Sequence, residues 1–292
     1  MLPDIVRWLS RRSLRTLHSW GAVAGWFSYA LSPTYRRRFK EHVAQAGVAR
    51  KTARAAIAEA GRLLMELPYL WMRPSSEPIR PSLQVSGDAL IAAAHEQGRG
   101  LVLLTPHMGC FEVVAQAYAE RYGSRHPITV LYRPARKAWL RELVDTVRTR
   151  PGLATAPATL AGVRQMIRAL RRGETVGLLP DQVPPDGMGV WAPFFGRPAY
   201  TMTLAARLVQ QTGAALVLTW GERLPRGEGY AVRYLAFDEA LPQDQTESAA
   251  VINRAMERLI MQCPQQYLWG YDRYKAPRSG SIAAAFAQDH KD

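Results

Sequence analysis

The stretch Leu101-Val-Leu-Leu-Thr-Pro-His-Met-Gly-Cys-Phe-Glu112 decides how the chain folds. Residues 101–105 are apolar with no polar alternation, the pattern of a strand buried on both faces. Pro106 and Gly109 interrupt it, and residues 111–122 carry a helical pattern. A buried strand, a tight turn and a helix in that order are the opening of a parallel strand–helix unit.

The same alternation continues on both sides. Residues 88–97 form a short helix closed by Gly98 and Gly100, and residues 128–132 a second strand. Helices are predicted over 137–148 and 160–172, the latter capped by Thr159 and stopped by Gly173. Residues 175–179 are a third apolar strand. A helix over 202–211, strands over 215–220 and 230–235, and a long helix over 247–262 follow. Upstream, residues 41–72 read as one helix with Val43, Ala46, Ile57, Leu63, Leu64, Leu67 and Leu70 near one face. Pro68 is expected to end it, and Pro74, Pro78 and Pro81 make a linker. The sum is an α/β fold: a mostly parallel central sheet flanked by helices, with an N-terminal membrane-associated helical segment. The expected division is a basic membrane-anchoring segment over 1–40, a single α/β domain over 41–277 and a frayed tail over 278–292.

Of the 292 residues 48% are hydrophobic and 21% charged, enough apolar material for a sizeable core, so whole-chain disorder is excluded. Two cysteines, Cys110 and Cys263, exclude a disulfide scaffold and a four-thiolate zinc site. The net charge of +14 argues for a polyanionic partner: nucleic acid, anionic lipid or an acidic carrier protein. Eleven Lys/Arg against Asp4 and Glu41 fall in the first 54 residues. Between Arg15 and Arg36 lies an uncharged stretch with Trp20, Trp26, Phe27, Tyr29 and Tyr35. Basic flanks and aromatic rings favour a helix lying in, or dipping into, an anionic membrane surface. The alternative is an Ala/Gly-rich core helix with a solvated basic flank. Arg36-Arg37-Arg38 directly after the apolar part argues against a secretory signal peptide.

Several chemistries lack their motifs. There is no G-x-S-x-G, no G-x-x-x-x-G-K-[ST], no G-x-G-x-x-G and no H-E-x-x-H. The six histidines show no metal spacing, and no metal is expected. What remains is His107 and Glu112, an H-x4-E pair at the C-terminal end of a strand, where α/β sheets place their ligands. An imidazole there serves as a general base. Glu112, in the first turns of the next helix, is expected to reach back, fix the tautomer and stabilise the imidazolium. Taken alone, H-x4-E equally describes a structural histidine beside a surface glutamate.

Four stretches, this one among them, go together: TPHMGCFE from Thr105, LYRP containing Arg133, GETVGLLPDQ from Gly173 followed by FFGRPAYT, and PQQYLWGYDRYK from Pro264. Together they resemble the bacterial lipid A late acyltransferases, a branch of the lysophospholipid/glycerolipid acyltransferase superfamily, over nearly the whole chain. The resemblance implies an O-acyltransferase on the cytoplasmic face of the bacterial inner membrane. It would move a fatty acyl chain from acyl carrier protein, with no other cofactor, to a lipid-linked hydroxyl, beside anionic membrane lipid. His107 and Glu112 match the family's catalytic pair, Arg133 its acceptor-phosphate block, and Asp181 the acid of its third block. The family's W-x-H-R-R reads here Trp269-Gly270-Tyr271-Asp272-Arg273, which loses a base and adds an acid. The acceptor is therefore a lipid A precursor or another lipid, such as ornithine lipid or a lysophospholipid. A nucleic-acid-binding protein is the competing class, supported by charge alone and by no reading module, so nucleic acid is not expected.

The remaining residues carry two readings each. Arg133 suits a phosphate or a solvated surface. Arg136, Arg148 and Arg150 would extend a phosphate or carrier patch, or decorate solvated faces. Asp181 and Gln182 end a strand at the ligand edge, where Asp181 would position an arginine or a loop, or shape a turn. Arg273 is a further substrate-binding expectation. Trp191 with Phe194-Phe195-Gly196 would line an acyl groove or pack beneath the loop. Cys110 reads as packing rather than as a nucleophile. Backbone N–H groups near Gly109 are the expected oxyanion donors.

Overall fold

A computed structural model describes residues 2–132 and 150–277. Among them the strands are β1 (Leu83–Ser86), β2 (Leu101–Leu104), β3 (Ile128–Tyr132), β4 (Leu153–Pro157), β5 (Thr175–Leu178), β6 (Gly189–Phe194), β7 (Arg197–Met202), β8 (Ala215–Arg223) and β9 (Tyr230–Ala236). The helices are α1 (Leu2–Ser10), α2 (Leu14–Leu31), α3 (Pro33–Gln45), α4 (Arg50–Trp71), α5 (Asp88–Glu96), α6 (Phe111–Tyr122), α7 (Leu160–Arg171), α8 (Leu204–Thr212) and α9 (Gln245–Ile260).

Seven strands form one sheet in the order β1-β9-β8-β2-β5-β3-β4. From β8 to β4 the neighbours are parallel; β9 runs antiparallel to β8, and β1 parallel to β9. The sheet divides two cores. On β2, Val102 and Leu104 join one core while Leu101 and Leu103 join the other. Since both faces are covered, every residue of β2 is buried, which is why the strand reads as an unbroken apolar run. The expected α/β architecture is thus observed.

Four segments differ from the sequence reading. First, residues 41–72 are two helices, α3 and α4, interrupted at residues 46–49. Second, α4 runs past Pro68 to Trp71. Arg150 makes this possible, because its Nη2 donates to the carbonyls of Leu70, Trp71 and Arg73 and satisfies the helix's C-terminal acceptors. It is a helix cap, not part of a carrier patch. Third, the edge strands β1 and β4 are absent from the sequence reading: both are partly exposed and neither is an unbroken apolar run, and β4 ends in Pro157. Fourth, β6 and β7 form a separate hairpin with Pro193 facing Pro198. Its two-residue loop, Phe195-Gly196, has φ of 48° and 74°, the geometry of a tight hairpin turn. Phe194 is buried and Phe195 packs on Trp269, so these two pack the core, while Trp191 stays half-exposed against Tyr200.

The predicted helix over 137–148, with Arg133, Arg136 and Arg148, and the tail over 278–292 lie outside the described residues.

The N-terminal stretch divides by face. Leu14, Leu17, His18, Gly21 and Gly25 of α2 are buried against α4. The approach is so close that a Cβ on Gly61 would fall 1.9 Å from the Gly21 carbonyl oxygen. The opposite face leaves Trp20, Val23, Trp26, Phe27 and Leu31 exposed. Among the described residues, no helix is long and apolar enough to cross a membrane.

Candidate active site

The loop from Thr105 to Cys110 is tied down along its length. The Thr105 N–H continues the β2 ladder to the Leu178 carbonyl (3.1 Å). The His107 carbonyl accepts from the Leu268 N–H (3.1 Å), Gly109 N–H donates to the Gln266 carbonyl (2.9 Å), and Cys110 N–H donates to the Gly221 carbonyl (2.7 Å). Gly109 sits at φ 58°, and a Cβ there would lie 1.9 Å from the Gly221 oxygen, so only glycine fits this approach. Because the Gly109 and Cys110 N–H groups both donate within the fold, the expected oxyanion role near Gly109 is not theirs.

The stitched loop presents His107 to Asp181. His107 Nδ1 lies 2.7 Å from Asp181 Oδ1, and the His107 N–H donates to Asp181 Oδ2 at 2.9 Å. Strand register explains the meeting. Leu104 of β2 is paired with Leu178 of β5, and His107 and Asp181 each lie three residues further along their chains. The two strands therefore deliver imidazole and carboxylate side by side. Burial alone would raise the Asp181 carboxyl. The charge of His107, its two hydrogen bonds and nearby Arg273 outweigh burial and hold the carboxyl below its ordinary value. An ionised carboxylate accepts and cannot donate, so in the neutral imidazole Nδ1 carries the proton and Nε2 the lone pair.

Asp181 is 2% exposed, while His107 at 17% reaches the wall of a cavity of about 400 Å³. That wall is largely apolar, drawn from Leu103, Val130, Leu178, Val183, Met188 and Leu204 among others. Phe111 packs its ring against His107 at 5.0 Å, with the two planes at 62°. Glu112, in the first turn of α6, and Gln182 share the wall with His107. The volume and lining suit an elongated apolar ligand that meets a few polar groups at one end.

Of the residues singled out from sequence, all but Arg133, Arg136 and Arg148, which lie outside the described residues, have a place. His107, Glu112 and Gln182 converge on one cavity, and Asp181 stands behind the imidazole. The carboxylate on Nδ1 is Asp181, the orienting place that the sequence reading assigned to Glu112. Helix α6 begins at Phe111, which sets Glu112 in the cavity wall, whereas sheet pairing sets Asp181 against Nδ1. Arg273 is not on the wall of this cavity. It is 2% exposed and donates to the Tyr200 carbonyl (2.7 Å) and Thr201 Oγ1 (2.6 Å), with its guanidinium 5.0 Å from the Phe194 ring. It is a buried strut and a cation near Asp181. Its neighbours are equally committed: Asp272 pairs with Arg38 at 2.7 Å, and the Tyr271 hydroxyl accepts from the Val183 N–H at 2.9 Å. Cys110 is buried, and burial, then Glu66, push its thiol well above the usual range, the opposite of an activated nucleophile.

Residues 11–276 match the profile of bacterial lipid A biosynthesis acyltransferases. The chain belongs to this family. Lipid A biosynthesis lauroyltransferase of Escherichia coli (strain K12) is 31% identical over 224 residues, 75% of this chain and 70% of the relative. Lipid A biosynthesis palmitoleoyltransferase of the same organism is 28% identical over 218 residues, 74% of this chain and 68% of the relative. A lipid A biosynthesis acyltransferase of Haemophilus influenzae is 30% identical over 220 residues, 74% and 67% respectively. The lipid A acyltransferase family and these relatives make this chain an O-acyltransferase, in agreement with the resemblance read from its motifs.

Glu112 is a second carboxylate on the wall of the cavity that His107 reaches. Glu112→Gln is expected to lower kcat at least tenfold while the fold, followed by circular dichroism, is unchanged. Wild-type kcat in this variant would remove Glu112 from the machinery.

Proposed function

We propose that the protein transfers a fatty acyl chain from an acyl carrier protein thioester to a hydroxyl of a lipid A precursor. The observation that carries this reading is the His107–Asp181 pair opening onto an apolar cavity. Nε2 of His107 takes the proton of the acceptor hydroxyl as its oxygen attacks the thioester carbonyl. The tetrahedral adduct collapses by breaking the carbon–sulfur bond, and the imidazolium returns its proton to the departing thiolate. The enzyme supplies no covalent nucleophile. Asp181 holds the tautomer and stabilises the transient imidazolium, and Glu112 adds negative charge from the cavity wall. The acyl chain lies along the apolar wall. Arg133, which matches the block associated with the acceptor phosphate, is proposed to bind that phosphate, and Gln182 to make a polar contact at the cavity.

Membrane association is supported by the outer face of α1 and α2. Ile5, Trp8, Trp20, Val23, Trp26, Phe27 and Leu31 are exposed beside the basic residues Arg11, Arg12 and Arg15. Such a face lies in the headgroup layer of an anionic bilayer, here proposed as the cytoplasmic face of the inner membrane, where acyl carrier protein meets it. Because Tyr271, Asp272 and Arg273 are occupied within the fold, the departure from W-x-H-R-R gives no reason to prefer an unusual acceptor.

The test supplies purified protein with acyl carrier protein thioester and, separately, a lipid A precursor, an ornithine lipid and a lysophospholipid, with products read by mass spectrometry. Acylation of the lipid A precursor alone is expected. Turnover only of another lipid would replace the acceptor, and turnover only with acyl-coenzyme A would replace the donor.

A further inference from the structure

A second cavity, of about 450 Å³ and lined mostly by polar groups, shares Gln266 with the stitching of the catalytic loop. Its wall holds Arg15 and His18 of α2, Arg62 of α4, Arg223 of β8, and Arg226 in the turn that follows. Two acids, Glu59 and Glu222, stand among them. Both are already committed. Glu59 accepts from Arg62 and from Arg223 Nε (2.9 Å), and Glu222 accepts from Nε and Nη2 of Arg233 (3.1 and 2.6 Å). Glu66, behind the wall, holds His18 Nε2 and Arg223 Nη1 at 2.9 Å each. Arg15 and Arg226 form no ion pair among the described residues.

These two arginines are brought together by the backbone. Arg226 has φ 57°, and the next residue, Gly227, packs so tightly on α2 that a Cβ there would lie 2.4 Å from the Arg15 nitrogen. Like charges fixed around one concavity repel unless an anion neutralises them, and guanidinium forks match phosphoryl oxygens. From Arg15 the outer stripe of α2 continues through Ser19 to Val23 and Phe27, which are 69% and 64% exposed, and Trp20 stacks on Trp8 at 5.6 Å. A charged pocket therefore opens beside an apolar stripe, the layout that receives a headgroup with its chains alongside.

We propose that this cavity binds the phosphoryl group of an anionic lipid headgroup, at a site separate from the catalytic cavity. The proposal rests on the membrane reading above only for the source of the phosphoryl group. It is tested with the full-length protein and vesicles of phosphatidylcholine containing about 30% phosphatidylglycerol, at about 0.15 M salt. The double variant Arg15→Gln/Arg226→Gln is expected to bind these vesicles about tenfold more weakly than wild type. A charge-matched pair on α7, Arg168→Gln/Arg171→Gln, is expected to bind like wild type. Millimolar inorganic phosphate should weaken wild-type vesicle binding and leave the residual binding of the Arg15/Arg226 variant unchanged. His107→Ala is expected to bind as wild type does, which keeps this site distinguishable from the catalytic reading. Equal binding by the Arg15/Arg226 variant and wild type overturns the proposal, as does an equal loss in the α7 pair. Inorganic phosphate that binds only wild type, with vesicle binding indifferent to the substitutions, overturns the lipid source.

Discussion

His107→Ala is expected to reduce acyl transfer by about 10³-fold or more with the protein still folded, because it removes the proposed general base. Asp181→Asn is the sharper variant. It keeps the shape of the side chain but replaces an acceptor-only carboxylate with an amide that can donate, so the imidazole loses its reason to hold its proton on Nδ1. The corresponding change in a serine protease triad lowers kcat about 10⁴-fold, and a loss of similar order is expected here. Asp181 also accepts the His107 backbone N–H at 2.9 Å, so loop placement suffers together with the tautomer. The measurement is a steady-state comparison of kcat and KM for both variants, beside a thermal melt. A fall in kcat with little change in KM is the expected pattern. If Asp181→Asn keeps more than about a tenth of wild-type kcat, the orienting role of Asp181 is wrong, whatever His107 does.

Arg223→Ala is expected to destabilise the fold by about 3–5 kcal/mol, the usual consequence of stranding buried charges. Arg223 is 4% exposed and its guanidinium bonds Glu59 and Glu66, while Glu66 also meets His18. Burial alone would lower the arginine's pKa, but Glu66 and Glu59 outweigh it and keep the guanidinium charged. Truncation would strip the fully buried Glu66 of its guanidinium partner and leave it with His18, the Tyr230 hydroxyl and the Cys110 thiol. In a chain of this size the loss corresponds to a drop of roughly 10 °C in Tm. Differential scanning calorimetry of wild type, Arg223→Ala and the combination Arg223→Met/Glu59→Gln/Glu66→Gln checks it. The combination, which removes the charges together, is expected to recover most of the loss. A single variant within about 1 kcal/mol of wild type would mean that the network is dispensable. The network also bears on catalysis, since Arg223 N–H donates to Gln266 Oε1 and the Gln266 carbonyl holds Gly109.

Much of this was legible from the chain alone. The apolar runs at 101–104 and 175–178 announced strands covered on both faces, because a parallel strand between two helical layers has no solvent side to mark with polar residues. His107 at a strand end, followed by a helix, announced the place of the site. Edge strand β4 and the hairpin β6–β7 left fainter traces, since their prolines are tolerated only where no ladder hydrogen bond is required.

Local pattern thus determined the α/β class, the strand-end loop and the imidazole within it, since all three depend on residues near one another in the chain. Which carboxylate would meet that imidazole was decided by tertiary structure. His107 and Asp181 are 74 residues apart and meet only because β2 pairs with β5 in one register. The same holds for Arg273, which sequence alone offers as a ligand and the fold consumes as a strut, and for Arg15 and Arg226, joined by the contact of Gly227 with α2. Periodicity carries burial and local geometry, but the partners of a charge are chosen by strand order and helix crossing.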